Sequence, residues 1–162
     1  MKKAARIILL IIAVAFLGAQ FVRPAKTNPP SEPQQHAFAL LETPPAVAAT
    51  IKRACNDCHS NDTRWPWYTN VAPVSWWTID HVNHGRSHLN FSLWGTLPPQ
   101  DAAKMLGEIC EEIESGAMPL PSYLRMHADA RLSPDDRKNI CLWTVEQRNK
   151  LSGKSEAHTE HK

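Results

Sequence analysis

The 162-residue chain lacks most of the features that would tie it to a familiar enzyme or nucleic-acid binder. It has no alternating strand pattern longer than a few residues and no Asn-Gly hairpin signal, so an extended sheet is excluded. It has no surplus charge over its body. Formal net charge is +2, but Lys2, Lys3, Arg6 and Arg23 crowd the start. Without those four, 14 basic side chains face 16 acidic ones. That balance gives no footprint for nucleic acid. No acidic or Ser/His/Asp constellation stands at a spacing that suggests acid-base or nucleophilic catalysis.

What is present begins with "MKKAARIILLIIAVAFLGAQFVRPAK". A positive start precedes an apolar run from Ile7 to about Val22, the form of a secretory signal. Cleavage after Ala19 would place the large Leu17 three positions before the cut, so an uncleaved signal-anchor is favoured over a removed signal peptide. The run rises only about 24 Å against a hydrocarbon core of about 30 Å, a gap that snorkelling end cations would close. The cationic end stays in the cytoplasm and the rest goes outward. The expected location is the bacterial periplasm, anchored to the inner membrane or, after cleavage, soluble.

The chain divides into four parts: residues 1–23 as signal or anchor, 24–42 as a proline-rich tether, 43–151 as a folded domain, and 152–162 as a polar disordered tail. Ala37 to Leu41 is an apolar patch able to dock on the domain. Helices are expected from Ala46 to Cys55 after Pro44-Pro45, from Val74 to Ser87, from Gln100 to Ser115, and from Ser133 to about Lys150. The third has Ala102, Leu106, Ile109, Cys110 and Ile113 on one face and Gly116 as its stop. The fourth has Ser133 as N-cap, Pro134 at the first position, and Asp135 and Asp136 at the positive end of the helix dipole. The fold class is all-α: a small helical domain of cytochrome c type preceded by one N-terminal membrane-spanning or signal helix. His158 and His161 in the tail read as solvated.

The chemistry centres on "ACNDCHS", residues 54–60. A Cys-x-x-Cys pair serves redox dithiols, but beside a βαβ pattern, which is missing. It serves zinc sites, but with a second close ligand pair. Cys110 and Cys141, about 30 residues apart, are not such a pair. Cys-x-x-Cys-His is the attachment signature of c-type haem. Cys55 and Cys58 would add to the two vinyl groups of one haem, and His59 would bind its iron. Six tryptophans suit a wall around such a group.

For the far side of the iron, Met118 in "SGAMPLPSY" is the first candidate, set in a loop stiffened by proline. Methionine ligation raises the reduction potential over bis-histidine. Met126 is read as space-filling. His81, His84 and His88 share one helix face, where they could hold a metal ion, and His88 is the alternative distal ligand. Arg64 and Arg86 are candidate partners of the haem propionates. Cys110 and Cys141 lie on apolar helix faces, either as a disulfide or as two buried thiols.

Three blocks, "CNDCHSNDTRWPWYTNVAPVSWW", "HVNHGRSHLNFSLW" and "MPLPSYLRMHADARLS", resemble the bacterial haem-binding domain family of small exported proteins. The likeness covers roughly Cys55 to Trp143. It implies covalent haem at Cys55 and Cys58 with His59 as ligand, and says little about partners. The expected function is electron transfer in the periplasm by a monohaem cytochrome with an unidentified redox partner. The alternatives are a haem enzyme or gas sensor with an open sixth position and His88 or His81 as distal base, and a structural haem or metal-handling module.

Overall fold

A computed structural model describes the backbone of residues 1–159 and side chains through Gly153. The described residues are helical, with no strand, as the absence of alternation requires. His158 and His161 fall outside the described side chains.

Helix α1 spans Lys2–Ala19 and buries none of its residues. Among the described residues no helix is long and apolar enough to cross a membrane. This corrects the expected membrane-spanning anchor. Lys2, Lys3 and Arg6 lie inside α1, and the apolar stretch left, 7–19, rises only about 20 Å.

The segment after α1 is not the free tether that its prolines suggest. Gln20 exchanges two hydrogen bonds with the backbone of Ala72. Trp76 Nε1 donates to Val22 O, and Asn28 bonds both Thr63 O and Trp65 Nε1. Lys26 Nζ donates to Asn70 Oδ1. Residues 20–28 therefore form a strap across the domain. A 3₁₀ turn at Pro33–Gln35 and the short helix α2, Ala37–Leu40, follow. Ala37 and Leu41 are buried, so the apolar patch does dock.

The body contains α3 (Pro45–Ala54), α4 (Asn56–His59), α5 (Val74–His88), α6 (Pro99–Glu114), α7 (Pro121–Leu124) and α8 (Pro134–Thr159). The four helices α3, α5, α6 and α8 begin within about a residue of their expected starts; in α3, α6 and α8 proline at the first position fixes φ where the amide has no acceptor anyway, and α5 follows Pro73. Helix α8 runs on to Thr159, past the expected end at Lys150. No proline follows there, and Gly153 alone weakens a helix without stopping it. The core joins Ile51 of α3, Leu106 and Ile113 of α6, and Ile140 and Trp143 of α8 to Phe91 and Trp94 of the 3₁₀ turn Phe91–Thr96.

Helices α6 and α8 are bridged by a disulfide between Cys110 and Cys141, whose Cα atoms are 5.0 Å apart. The sulfurs fall on facing turns because both helices turn an apolar stripe inward. Closing a loop of 31 residues is worth about 3–4 kcal/mol in the chain-entropy model. Replacing both cysteines by serine is expected to lower unfolding stability by about that amount, read by denaturant titration.

The start of α8 is fixed by a reciprocal cap. Ser133 N and Oγ donate to Asp136 Oδ2, and Asp136 N donates to Ser133 Oγ. Asp136 also accepts from Thr50 Oγ1 and from Arg53 at 2.7 Å, which ties α3 to α8. Burial works against its charge, but the Ser133, Arg53 and Thr50 donors outweigh it and hold the carboxyl at about 2. A depressed carboxyl stabilises the fold above the unfolded value near 4 and ceases to do so as pH falls toward 2. Asp136→Ala should cost about 1–2 kcal/mol at neutral pH. It should also flatten the acid limb of stability between about pH 4 and pH 2, as followed by circular dichroism.

Candidate functional site

The site is built on α4, the single turn that carries both cysteines and His59. Cys55 and Cys58 are free thiols. Burial, then the neighbouring Cys58 sulfur, pushes Cys55 up to about 12; burial, then Asp57, pushes Cys58 up to about 11. A reactive dithiol needs the opposite shift. The zinc reading also fails for want of ligands. Among the described residues the one cluster of three metal-ligating side chains is Cys110, Glu114 and Cys141, and its two sulfurs are bonded to each other.

His59 is held in one tautomer. Its Nδ1 lies 3.0 Å from Gly85 O and 3.1 Å from Leu89 O. Both are carbonyls, so Nδ1 must carry the hydrogen and Nε2 the lone pair. Leu89 O is available because α5 ends at His88 and Leu89 turns extended; Gly85 O already accepts from Leu89 N at 2.9 Å and takes the His59 ring as a second partner. Burial lowers the pKa of His59, against the pull of these two bonds, so the ring stays neutral. A neutral imidazole whose other nitrogen is anchored to backbone is the form that binds a metal.

Such proximity of α4 to α5 requires Gly85. A Cβ there would lie 2.7 Å from Cys58 O and 3.1 Å from Cys58 Cβ. The glycine that weakens α5 in the sequence is the one that lets the cysteine turn approach it.

Asp57, between the cysteines, is buried and fully engaged. It accepts from Arg64 N, Nε and Nη2 and from Tyr123 Oη at 2.7 Å. Burial, then the bond to Asp57, raises the pKa of Tyr123 and keeps its hydroxyl protonated as a donor. Arg64 lies on the cavity wall with its side chain 62% exposed. Arg86 donates to Ser60 O, Thr27 O, Asn28 Oδ1 and Thr63 Oγ1, all neutral oxygens. Thus both candidate propionate arginines hold the α4 turn, and only Arg64 also lines the cavity. Asn56 Oδ1, next to Cys55, is the buried side-chain polar atom left without a partner among the described residues.

Beside Cys58 opens a cavity of about 280 Å³ with almost wholly apolar walls, near the low end of small-molecule pockets. One wall is the face of α5 formed by Val74, Trp77, Thr78, His81 and Val82, at helical spacing. The loop with Trp65 and Tyr68 makes a second wall, and Leu120, Tyr123 and Met126 of the α7 region a third. Of the six tryptophans, Trp65 and Trp77 line the cavity, while Trp94 and Trp143 belong to the core.

The distal candidates separate. Met126, read as space-filling, lines this cavity; Met118 lines a second one, of about 220 Å³, with Arg131 and Arg137. The cause is the turn at Gly116, whose φ of 75° folds the chain back so that Met118 N donates to Glu112 O. His81 faces the Cys58 cavity, while His84 and His88 are exposed. Sequence reasoning missed Asp57, Tyr123 and the role of Gly85. The only signal was Asp57's place between the cysteines.

A free, tautomer-fixed histidine beside two unpaired cysteines, with Cys58 on the wall of an apolar cavity, is a donor set that fits haem. Residues 14–146 match the family model of the haem-binding domain. The chain belongs to the haem-binding domain family. No curated protein and no solved structure matches it.

In an open helix interior Gly→Ala gains up to about 1 kcal/mol. In this haem-binding domain Gly85→Ala is expected instead to cost about 1–3 kcal/mol, seen as a lowered melting temperature, and to reduce haem content per chain.

Proposed function

We propose that the domain carries one haem c, attached through thioethers at Cys55 and Cys58, and that it transfers electrons outside the cytoplasm. The observation that carries this reading is the His59 ring, fixed by Gly85 O and Leu89 O with Nε2 left to bind iron. In attachment each thiol adds across a vinyl group, sulfur to one carbon and hydrogen to the other, so neither needs to be a persistent thiolate. Bound haem supplies a one-electron ferric/ferrous couple. The protein supplies an apolar cavity, which favours the less charged ferrous state. The α4 turn, clamped by Asp57, limits movement on electron transfer.

A methionine sulfur from the 118–126 segment serves as sixth ligand in this reading. Met118 is the choice from the sequence, and Met126 the choice from its place in the cavity. Export is supported by the signal-like composition of α1 and by the Cys110–Cys141 bridge, which belongs to an oxidising compartment. Cleavage after Ala19 would leave the whole strap, from Gln20 on, in the mature protein. A second reading is an open sixth position, as in a haem enzyme or gas sensor. It is favoured by one observation: Met118 does not line the cavity that Cys58 does, whereas His81 does.

The test is spectral. The Cys55→Ala/Cys58→Ala double variant should leave any haem extractable by acid acetone while the unaltered protein retains it, and extractable haem in the unaltered protein or acid-stable haem in the double variant would overturn the covalent claim. In the carrier reading the ferric protein is low-spin, with the far-red band of methionine-sulfur ligation. Met118→Ala or Met126→Ala, whichever removes the ligand, turns it high-spin and lowers the potential, because a thioether favours ferrous iron. If both variants are silent and the unaltered protein is high-spin and binds cyanide, the second reading stands.

A further inference from the structure

The three histidines of α5 do not act as one face. His81 turns its Nδ1 to Trp77 O at 2.8 Å and stacks on that indole toward the cavity. His84 and His88 stand apart from it, exposed, one turn from each other, with ring centroids 4.5 Å apart. Their Nε2 atoms converge to 3.1 Å.

We propose that His84 and His88 form a chelating site for a borderline divalent cation such as Zn(II) or Cu(II), outside the cavity that Cys58 lines, an inference that rests on the reading in which His88 is not an iron ligand. The geometry carries this. With metal–imidazole bonds of about 2.0–2.1 Å, two nitrogens 3.1 Å apart subtend about 100° at a shared ion. That angle lies between the tetrahedral and square-planar values, which suit zinc and copper. The rings are already convergent, so little rotamer freedom is lost on binding. Both residues stand at the end of α5, His88 in its last turn, where the helix dipole favours positive charge. The nearby cation, Arg86, points its guanidinium inward to Ser60, Thr27, Asn28 and Thr63. No third histidine, cysteine or carboxylate among the described residues completes the shell. The remaining positions therefore go to water or to an added ligand, and imidazole selects for zinc, copper or nickel over magnesium and calcium.

The full-length haem-loaded protein is titrated with Zn(II) by calorimetry and with Cu(II) by electron paramagnetic resonance. One ion per chain is expected, with two-nitrogen hyperfine structure for copper. His84→Asn and His88→Asn should each weaken binding at least tenfold. His81→Ala and the His158→Ala/His161→Ala double variant should leave it unchanged. Of these five substitutions, His84 and His88 are exposed and His158 and His161 stand in the tail, and circular dichroism confirms that each variant is folded. The proposal is overturned if the unaltered protein takes up no ion. It is equally overturned if His84→Asn/His88→Asn keeps full affinity, or if binding leaves with the tail or His81 variants. None of these results touches the covalent-haem reading, which the acid-acetone test decides.

Discussion

The hydrogen bonds from His59 Nδ1 to the end of α5 are the constraint on which the site depends. Helix ends leave carbonyls without donors. Here one side chain from another helix reaches two carbonyls at that end, Leu89 O, beyond the last helical bond, and Gly85 O, which also accepts from Leu89 N. The exchange works in both directions: the carbonyls fix the ring, and the ring caps the helix. It demands that α4 and α5 touch at backbone distance, and Gly85 is the one position on α5 where a side chain would prevent it. Asn90 then starts the next turn by accepting from Ser92 N, so the chain leaves α5 extended and keeps Leu89 O in place.

The rest of the molecule braces that contact from outside. Asp57 joins the α4 turn to Arg64 and Tyr123, and Arg86 joins its end at Ser60 to the strap at Thr27 and Asn28. A buried carboxylate is costly unless its lone pairs are filled, and Asp57 has four donors. Arginine keeps its charge at neutral pH, so both guanidiniums serve as donors in these braces. The disulfide and the Ser133–Asp136 cap do the same for α6 and α8, whose packing supplies the core under Phe91 and Trp94.

Much of this was legible in the chain. Helices α3, α5, α6 and α8 announce themselves by Pro starts, apolar period and caps, and Ala102, Leu106, Ile109 and Ile113 are buried as their spacing requires. The Cys-x-x-Cys-His run marks the site without help from structure. What periodicity cannot give is the direction of side chains in irregular backbone. Met118 follows a left-handed glycine, so its orientation depends on the fold-back at Gly116 and not on any helical repeat. The strap at 20–28 has a tether's composition, yet its polar atoms find partners on the domain, a tertiary outcome that proline content does not report. Gly85 looks like a defect in α5 until α4 is known to lie against it.

One chain here holds two cysteine pairs with opposite fates: Cys110 and Cys141 are bridged, while Cys55 and Cys58 are free thiols. Disulfide formation starts from a thiolate. Burial pushes Cys55 up to about 12 and Cys58 up to about 11, which works against the thiolate. Cys110 and Cys141 face each other across two packed helices, 5.0 Å apart at Cα, and are held ready to close. The α4 turn thus keeps its two thiols unpaired while α6 is stapled to α8. Under the proposed function, the free thiol of Cys58 stands on the wall of the apolar cavity that would receive the macrocycle.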